Sequence, residues 1–394
     1  MPIHREIPFP VSWEQVSAFR LARHHLLDRA PAKDLVSVAG EMGGAQAQLV
    51  SAAQLSLGIR HNDLEQQQVE KAMAERKLVK ASCMRQTLFL VPARELMIFS
   101  QGAASRARRE VTWALRKGVP EKTVHAAIDA TLSVLDQPLT RNEIAERVSR
   151  KMGVQKRDVR GGGWGSRKQI AAVPVGPLNY PVVYLIHIVT SRGIVCYGPP
   201  RGSEPTFVRA DAWVPKWRDI AREDAEDALL RRYLKSFGPA APHDFAAWSG
   251  MTLTETRTIW DRQQGGMLPV NVENKKVFLL QEDVNELLHA KFERPLVRLL
   301  PYFDSFIIGH KERDHLVSRQ HHAKVSRPQG WIAPTVIANG RIVGVWEHDV
   351  KKDRLFIRVK KIQPLMRAMQ NDIRAEAQQL GRFLETSDVE VQIG

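Results

Sequence analysis

Apolar residues recur in this chain in blocks of helical spacing, each broken by turn residues and followed by short alternating stretches. Val16, Phe19, Leu26 and Leu27 follow a capping-box pair, Ser12 and Gln15, and predict a first amphipathic helix running to about Arg29. A short helix from Lys33 to Glu41 comes next; Gly43 and Gly44 break it, and Leu49 to Leu57 resumes a helical pattern that ends near Gly58. Leu78 to Val91 alternates, with β-branched and aromatic residues, and reads as a strand pair. Helix, tight turn, helix, strand pair is the outline of a helix-turn-helix unit with a β-wing.

The outline recurs. Thr140 and Glu143 form a second capping box, a helix over Val182 to Ser191 stops at Gly193, and Ile194 to Phe207 supplies a second wing turning around Gly198-Pro199-Pro200. Then His243 to Ser249, Gly250, and a helix capped by Thr252 through Trp260 precede a hairpin over Pro269 to Leu280 with Glu273-Asn274 at its turn. After Leu300 the texture shifts toward strands, with Trp331 to Val336, the Asn339-Gly340 turn, Arg341 to Trp346 and Leu355 to Val359 forming a small antiparallel region; Met366 to Leu384 closes as an amphipathic helix.

A chain of 394 residues exceeds one ordinary core, so two to four subdomains are expected. Lys and Arg number 58 against 43 Asp and Glu, a net charge of +15 and a pI near 10.0, which favours a polyanionic partner, with nucleic acid ahead of a simply basic enzyme. Only Cys83 and Cys196 occur, and no secretory segment or apolar run of spanning length is evident, which points to a cytoplasmic protein that does not enter membranes. A monomer is expected, and no cofactor or metal. His310, His315, His321 and His322 cluster in one stretch, but without paired cysteines or H-E-x-x-H spacing, and among Arg313, Arg319, Lys324 and Arg327 they read as a basic surface loop.

The best claim to chemistry is Gln46-Ala47-Gln48, two carboxamides flanking one small residue directly after Gly43 and Gly44. In extended backbone, residues two apart project to one side, so both amides can converge on one water or one reacting carbon. The competing reading is two glutamines that cap a helix or satisfy buried backbone. Gly44-Ala45-Gln46-Ala47-Gln48, followed by Met84 to Ala93 (MRQTLFLVPA), Leu234 to Trp248 (LKSFGPAAPHDFAAW), Leu300 to Asp304 (LPYFD) and Asn339 to Trp346 (NGRIVGVW), resembles the AlkZ/YcaQ superfamily of DNA glycosylases in motif and in order, over nearly the whole chain. The resemblance implies an α+β fold of three tandem winged-helix units, C-shaped around a basic channel, with the glutamine motif as the catalytic element; the repeat count rests partly on it. The implied segments are 1–120, 121–220, 221–298 and a β-rich 299–394. Two positions depart from the pattern: Gln86 and Phe89 stand where the family often carries Gly and His. Gln48 matches the AlkZ branch, whereas the YcaQ-like branch has Asp there. Substrate range is what these differences bear on.

A purine alkylated at N7 is cationic and departs as a neutral molecule, so general acid catalysis is unnecessary. What remains is to place a water below the anomeric carbon and to stabilise an oxocarbenium-like transition state, tasks for oriented amide carbonyls. The implied activity is therefore a monofunctional DNA glycosylase acting on N7- or N3-alkylated purines in double-stranded DNA, with interstrand crosslinks within its reach, in repair or in self-resistance to genotoxic natural products. The alternative is a winged-helix protein without catalysis, a transcriptional regulator or a protein that sequesters lesions. Asp304, between aromatics, is the runner-up catalytic residue, with a structural role on backbone amides favoured. Candidate DNA contacts are Arg85 and Thr87 in the first wing, Arg106 and Arg109 after it, Arg160, Arg167 and Lys168 around the loop Gly161 to Gly165, and Arg319, Lys324 and Arg327 in a hairpin tip spanning Arg319 to Gly330. Trp113 and Trp164 are candidates to stack bases; Trp248 and Trp260 fall at core spacing.

Overall fold

The computed structural model describes residues 9–160 and 169–394, a mixed α+β chain that divides into two compact units. One unit comprises Met1–Glu75, Asp227–Trp248 and Thr252–Gly394; the other comprises Arg76–Glu226 and Ser249–Met251. The expected loop around Gly161 to Gly165, with Trp164, Arg167 and Lys168, lies outside the described residues. Among the described residues no helix is long and apolar enough to cross a membrane.

The first unit is built on a five-stranded sheet in the order Val297–Leu300, Thr335–Ala338, Arg341–Lys351, Arg354–Lys361, Asp388–Ile393. The first four strands run antiparallel and the last joins in parallel. Asn339 and Gly340, both at positive φ, make the expected two-residue hairpin turn. The closing helix Arg367–Phe383 packs on the first strand and sets the Phe383 ring against Gly58, where a Cβ would come within 2.6 Å of it. A smaller sheet joins Phe9–Val11, in parallel, to the hairpin Met267–Val272 and Lys275–Leu280, whose turn residues Glu273 and Asn274 are again at positive φ. Val11, Val16, Phe19, Val270, Val272 and Leu279 close a core over it.

Ser12 caps the helix Trp13–Arg23 with both halves of its capping box formed. That helix ends six residues short of the expected Arg29, because His24 takes the C-cap position and His25 turns to φ 52. The first two expected helices around the glycine turn form as Leu35–Glu41 and Val50–Gly58, with Gly43 (φ +78) and Gly44 (φ +83) between them. Pro242–Ser249 and Leu253–Gln263, capped by Thr252, repeat it ahead of the hairpin.

In the second unit, Leu78–Ser82 pairs with Leu88–Pro92 as expected. A three-stranded antiparallel sheet, Arg157–Arg160, Gln169–Val175 and Leu178–Pro181, has no counterpart in the sequence reading. The apolar helix Val182–Ser191 packs against Ser105–Arg116 and Glu121–Ser133 in a core that includes Ile128, Ile144, Val173, Leu185 and Phe207. The strand pair expected over Ile194 to Phe207 is corrected in detail. Its strands are Val195–Arg201 and Glu204–Arg209, and the turn falls at Gly202 (φ +59), while Gly198-Pro199-Pro200 stays inside the first strand at a register shift. Thr206 Oγ1 donates to the Pro199 carbonyl at 2.7 Å, so the proline carbonyl finds its partner across the ladder and the chain continues before turning.

Thr140 caps Arg141–Lys151 reciprocally with Glu143. Thr140→Ala removes that bond and is expected to cost about 1 kcal/mol, with Thr140→Ser close to wild type; chemical denaturation of the three proteins side by side checks it.

Candidate active site and nucleic-acid contacts

The Gln46-Ala47-Gln48 segment is held from behind by residues distant in sequence but within the same unit. Gly43 and Gly44 occupy the left-handed region that glycine favours, and Gly44 N–H returns to the Ala39 carbonyl at 2.9 Å, closing the preceding helix. A Cβ on Gly43 would stand 2.7 Å from the Phe237 ring, and one on Gly309 2.2 Å from its other atoms. The two glycines thus form a slot for Phe237, whose ring also lies among those of His24, Tyr233 and Trp248. Ser236 donates to the Glu41 carbonyl and Ser305 Oγ to the Gly44 carbonyl at 2.5 Å. Ala45 and Ala47 are fully buried, Gln46 is 7 % exposed and Gln48 is half-exposed; the extended strand covers only Ala45–Gln46, and Gln48 lies in the bend that leads into the next helix.

Behind this loop lies a buried ion pair. Arg60 Nη1 and Nη2 donate to Asp304 Oδ2 and Oδ1, each at 2.7 Å, and both side chains are fully buried. Ser56 Oγ donates to Asp304 Oδ2 at 2.6 Å, and Phe306 N–H donates to Oδ1 at 3.0 Å, making Asp304 the N-cap of Ser305–Ile308. Burial by itself would raise the Asp304 pKa, but the Arg60 charge and the bonds from Arg60 and Ser56 hold it below the ordinary carboxylate range. Asp304 is therefore a structural anion, as the favoured reading had it, with a guanidinium as well as a backbone amide as partner. Nearby His24 is kept neutral, its pKa lowered to about 3 by burial and then by Arg60. Arg20 donates to the Pro239 carbonyl at 2.7 Å and His310 Nε2 meets the Phe237 carbonyl at 3.0 Å, pinning the segment that supplies Phe237. Trp346 Nε1 donates to the Leu300 carbonyl at 2.8 Å and so fixes the strand that leads into Asp304.

Of the expected DNA contacts, Arg319, Lys324 and Arg327 are exposed on one stretch of this unit. Arg319 pairs with Asp314 at 2.8 Å, while a minimal hairpin, Ser326–Arg327 with Trp331–Ile332, puts the tip at Pro328–Gly330. His310 and His315 do not share that surface. His310 is buried and His315 stacks on Trp13 at 4.5 Å beside Arg20.

In the second unit Arg85 and Gln86 are both at positive φ, uncommon for residues with a Cβ, in the turn between Leu78–Ser82 and Leu88–Pro92. Thr87 Oγ1 donates to the Met84 carbonyl at 3.0 Å and Arg85 lies over the Phe89 ring at 5.9 Å. Phe89, in the position where the family often has His, is fully buried and belongs to the packing of this hairpin. Arg106 and Arg109 are exposed on Ser105–Arg116, with Arg109 donating to the Gly250 carbonyl at 3.3 Å; Arg160 ends a strand, and its side chain lies outside the described residues. Glu110, on the same helix, was not singled out from the sequence. Burial pushes its carboxyl up to about 7, against the opposing pull of Arg106, the Gln86 amide and Arg109.

The sequence model described as DNA glycosylase AlkZ-like matches residues 39–383. This chain belongs to the AlkZ-like DNA glycosylase family. It is 32 % identical over 347 residues to an interstrand DNA cross-link repair glycosylase of Streptomyces sahachiroi, covering 85 % of this chain and 88 % of the relative. Its fold is similar to that of the Streptomyces sahachiroi DNA glycosylase AlkZ, with a TM-score of 0.81 at 26 % identity over 98 % of this chain and 100 % of that one. Membership in this AlkZ-like family decides for the enzyme over a non-catalytic regulator or sequestering protein.

Asp304→Asn leaves a guanidinium buried without its countercharge and is expected to cost about 3–5 kcal/mol in denaturant titrations; a loss under 1 kcal/mol would show that the pair is not holding the segment. Glu110 has a folded pKa above that of a free carboxyl, so the folded chain retains a proton that the unfolded chain releases. Its contribution is most favourable at acid pH and declines as pH rises from the ordinary carboxylate range through about 7. Glu110→Gln should therefore raise the melting temperature at pH 8 and leave it nearly unchanged at pH 5.

Proposed function

We propose that this glycosylase hydrolyses the N-glycosidic bond of N7- or N3-alkylated purines in double-stranded DNA, that interstrand crosslinks are among its substrates, and that Gln46 and Gln48 carry the reaction. The observation that supports it most is the support built behind the glutamine pair: a glycine turn, two buried alanines, and the Ser305 bond to Gly44. A side-chain amide is a weak base, and its use in catalysis is as a dipole fixed before the charge develops, which requires the backbone to be immobile. Gln46 and Gln48 would orient one water toward the anomeric carbon and place carbonyl oxygens against the oxocarbenium charge. The leaving base needs no proton when alkylation has made it cationic, which matches a motif without an acid. The name of the Streptomyces relative, a cross-link repair glycosylase, supports crosslinked substrates.

The substrate would lie along three winged-helix segments, 1–120, 121–220 and 221–298, followed by 299–394, bent into a C around a basic channel. The repeated order of helix, glycine-containing turn, helix and hairpin in Leu35–Glu41 onward and in Pro242–Leu280 supports this division, as does the overall charge of +15. Arg85, Thr87, Arg106, Arg109, Arg160, Arg167, Lys168, Arg319, Lys324 and Arg327 would meet phosphates, an interaction that positions DNA without reading its sequence. The protein would work as a monomer in the cytoplasm.

Duplex DNA carrying one N7-methylguanine, treated with enzyme and then with alkali, reports excision as strand cleavage. Gln46→Ala and Gln48→Ala should each lower the single-turnover rate by about a hundredfold or more, with DNA affinity and melting temperature close to wild type. Undiminished turnover in both variants would sink the assignment, and base release only from a bulky crosslink would narrow the substrate.

A further inference from the structure

Among the described residues, the large apolar side chains that remain exposed include only two aromatic ones, Trp113 at 48 % and Tyr184 at 42 %. Both belong to the second unit, and both flank one buried ring: Tyr180 lies 6.3 Å from Trp113 and 5.6 Å from Tyr184, centroid to centroid. Tyr184 continues to His187 at 6.3 Å. Burial, followed by the charges of Arg141 and Arg106, lowers the His187 pKa to about 4, so this ring is neutral at physiological pH.

The setting of these rings is basic. On the helix Ser105–Arg116, steps of three and four residues place Arg106, Arg109, Glu110 and Trp113 on one face, and Lys117 continues it. Arg106, Trp113, Arg116 and Lys117 are all exposed. Glu110, the one acid on that face, has its carboxyl pushed up to about 7 by burial, so only part of its charge offsets the arginines near neutral pH. Two aromatic faces left in water cost free energy that the core could have recovered. Each flanking the buried Tyr180 ring, in a basic setting, they offer aromatic surface of the kind on which unpaired bases stack. A protein partner would be expected to meet a wider apolar surface with fewer charges at its centre.

We propose that this face binds an unpaired nucleotide of the DNA, with Trp113 and Tyr184 stacking on the base and Arg106 and Lys117 meeting the flanking phosphates. The inference rests on the proposed DNA substrate but not on the glutamines. A crosslink or bulky adduct unpairs the bases around it, and a surface that holds such a base favours distorted duplex over intact duplex irrespective of sequence.

Fluorescence anisotropy on undamaged DNA separates this from excision. One probe is a fully paired duplex and the other the same duplex with a single-nucleotide bulge. Wild type should prefer the bulge. The double substitution Trp113→Ala/Tyr184→Ala should weaken bulge binding by roughly five- to a hundredfold and change paired binding less than twofold. Trp113→Phe/Tyr184→Phe, which keeps the ring faces, should retain the preference, while Arg106→Ala should weaken both probes alike and flatten the salt dependence. Normal paired binding without bulge preference, or a preference unchanged in the alanine variant, would overturn the stacking face and leave the glycosylase reading standing. Failure of wild type to bind either probe would likewise overturn the stacking face, and excision from the N7-methylguanine duplex would then decide the glycosylase reading by itself.

Discussion

The arrangement around the glutamine pair depends on one buried ion pair, Arg60 with Asp304. Neither side chain is exposed, and 244 residues separate them in sequence. An isolated charge in that position would be expelled or neutralised, so the geometry is all or nothing: both partners fold in together or neither does. Ser56 and the Phe306 amide occupy the remaining carboxylate lone pairs. With the Ser56 bond, the pair thereby welds the helix Val50–Gly58 and the turn that follows it to the segment Pro301–Ile308. Phe303, at φ 57, takes a backbone conformation uncommon for a bulky residue immediately before Asp304. The surrounding contacts must over-determine it, because nothing local favours it.

From that weld the loop inherits its position. Ser305 follows Asp304 and reaches the Gly44 carbonyl; Gly309 lies one turn further and closes the slot on Phe237, whose opposite side is bounded by Gly43. Phe237 is itself tethered through its carbonyl to His310, and Tyr233 donates to the Gly309 carbonyl at 2.9 Å. Each contact alone is worth little. Their value lies in closure, since the same few residues are reached from three directions. His24 fits the same logic. A second cation against Arg60 would break the charge balance, and its imidazole stays neutral.

Much of this was legible from the sequence, and the boundary is physical. Features set by neighbours within four residues were read correctly: the capping boxes at Ser12 and Thr140, the cap at Thr252, the turns at Asn339-Gly340 and Glu273-Asn274, and the glycine break before the glutamines. Features set by distant partners were not. The first helix stops at Arg23 and not near Arg29, where His24 packs on the Phe237 and Phe306 rings and His25 turns to positive φ. The strands Val297–Leu300 and Asp388–Ile393 exist as strands because a sheet is there to receive them. Asp304 stood out by its aromatic neighbours, but its partner did not. The one local sign was an arginine closing the apolar run Leu57-Gly58-Ile59, a poor place for an unpaired charge.

The residues expected to meet DNA and those proposed for catalysis are built to different tolerances, and the chemistry explains why. A guanidinium attracts a phosphate over several ångströms and can do so from the end of a mobile side chain, so Arg106, Lys324 and Arg327 need only be exposed on a surface. An amide dipole acting on one carbon loses its effect with a small displacement or rotation, so Gln46 and Gln48 need a backbone that cannot shift. The same sequence meets both demands by spending its glycines, small residues and buried polar groups within one unit around residues 43–60. Its surplus charge lies on exposed faces elsewhere. On this view the family motifs far from the glutamines, LKSFGPAAPHDFAAW, LPYFD and NGRIVGVW, supply Phe237, Asp304 and Trp346 to the packing described above. They build the wall behind the segment that carries the two amides proposed for catalysis.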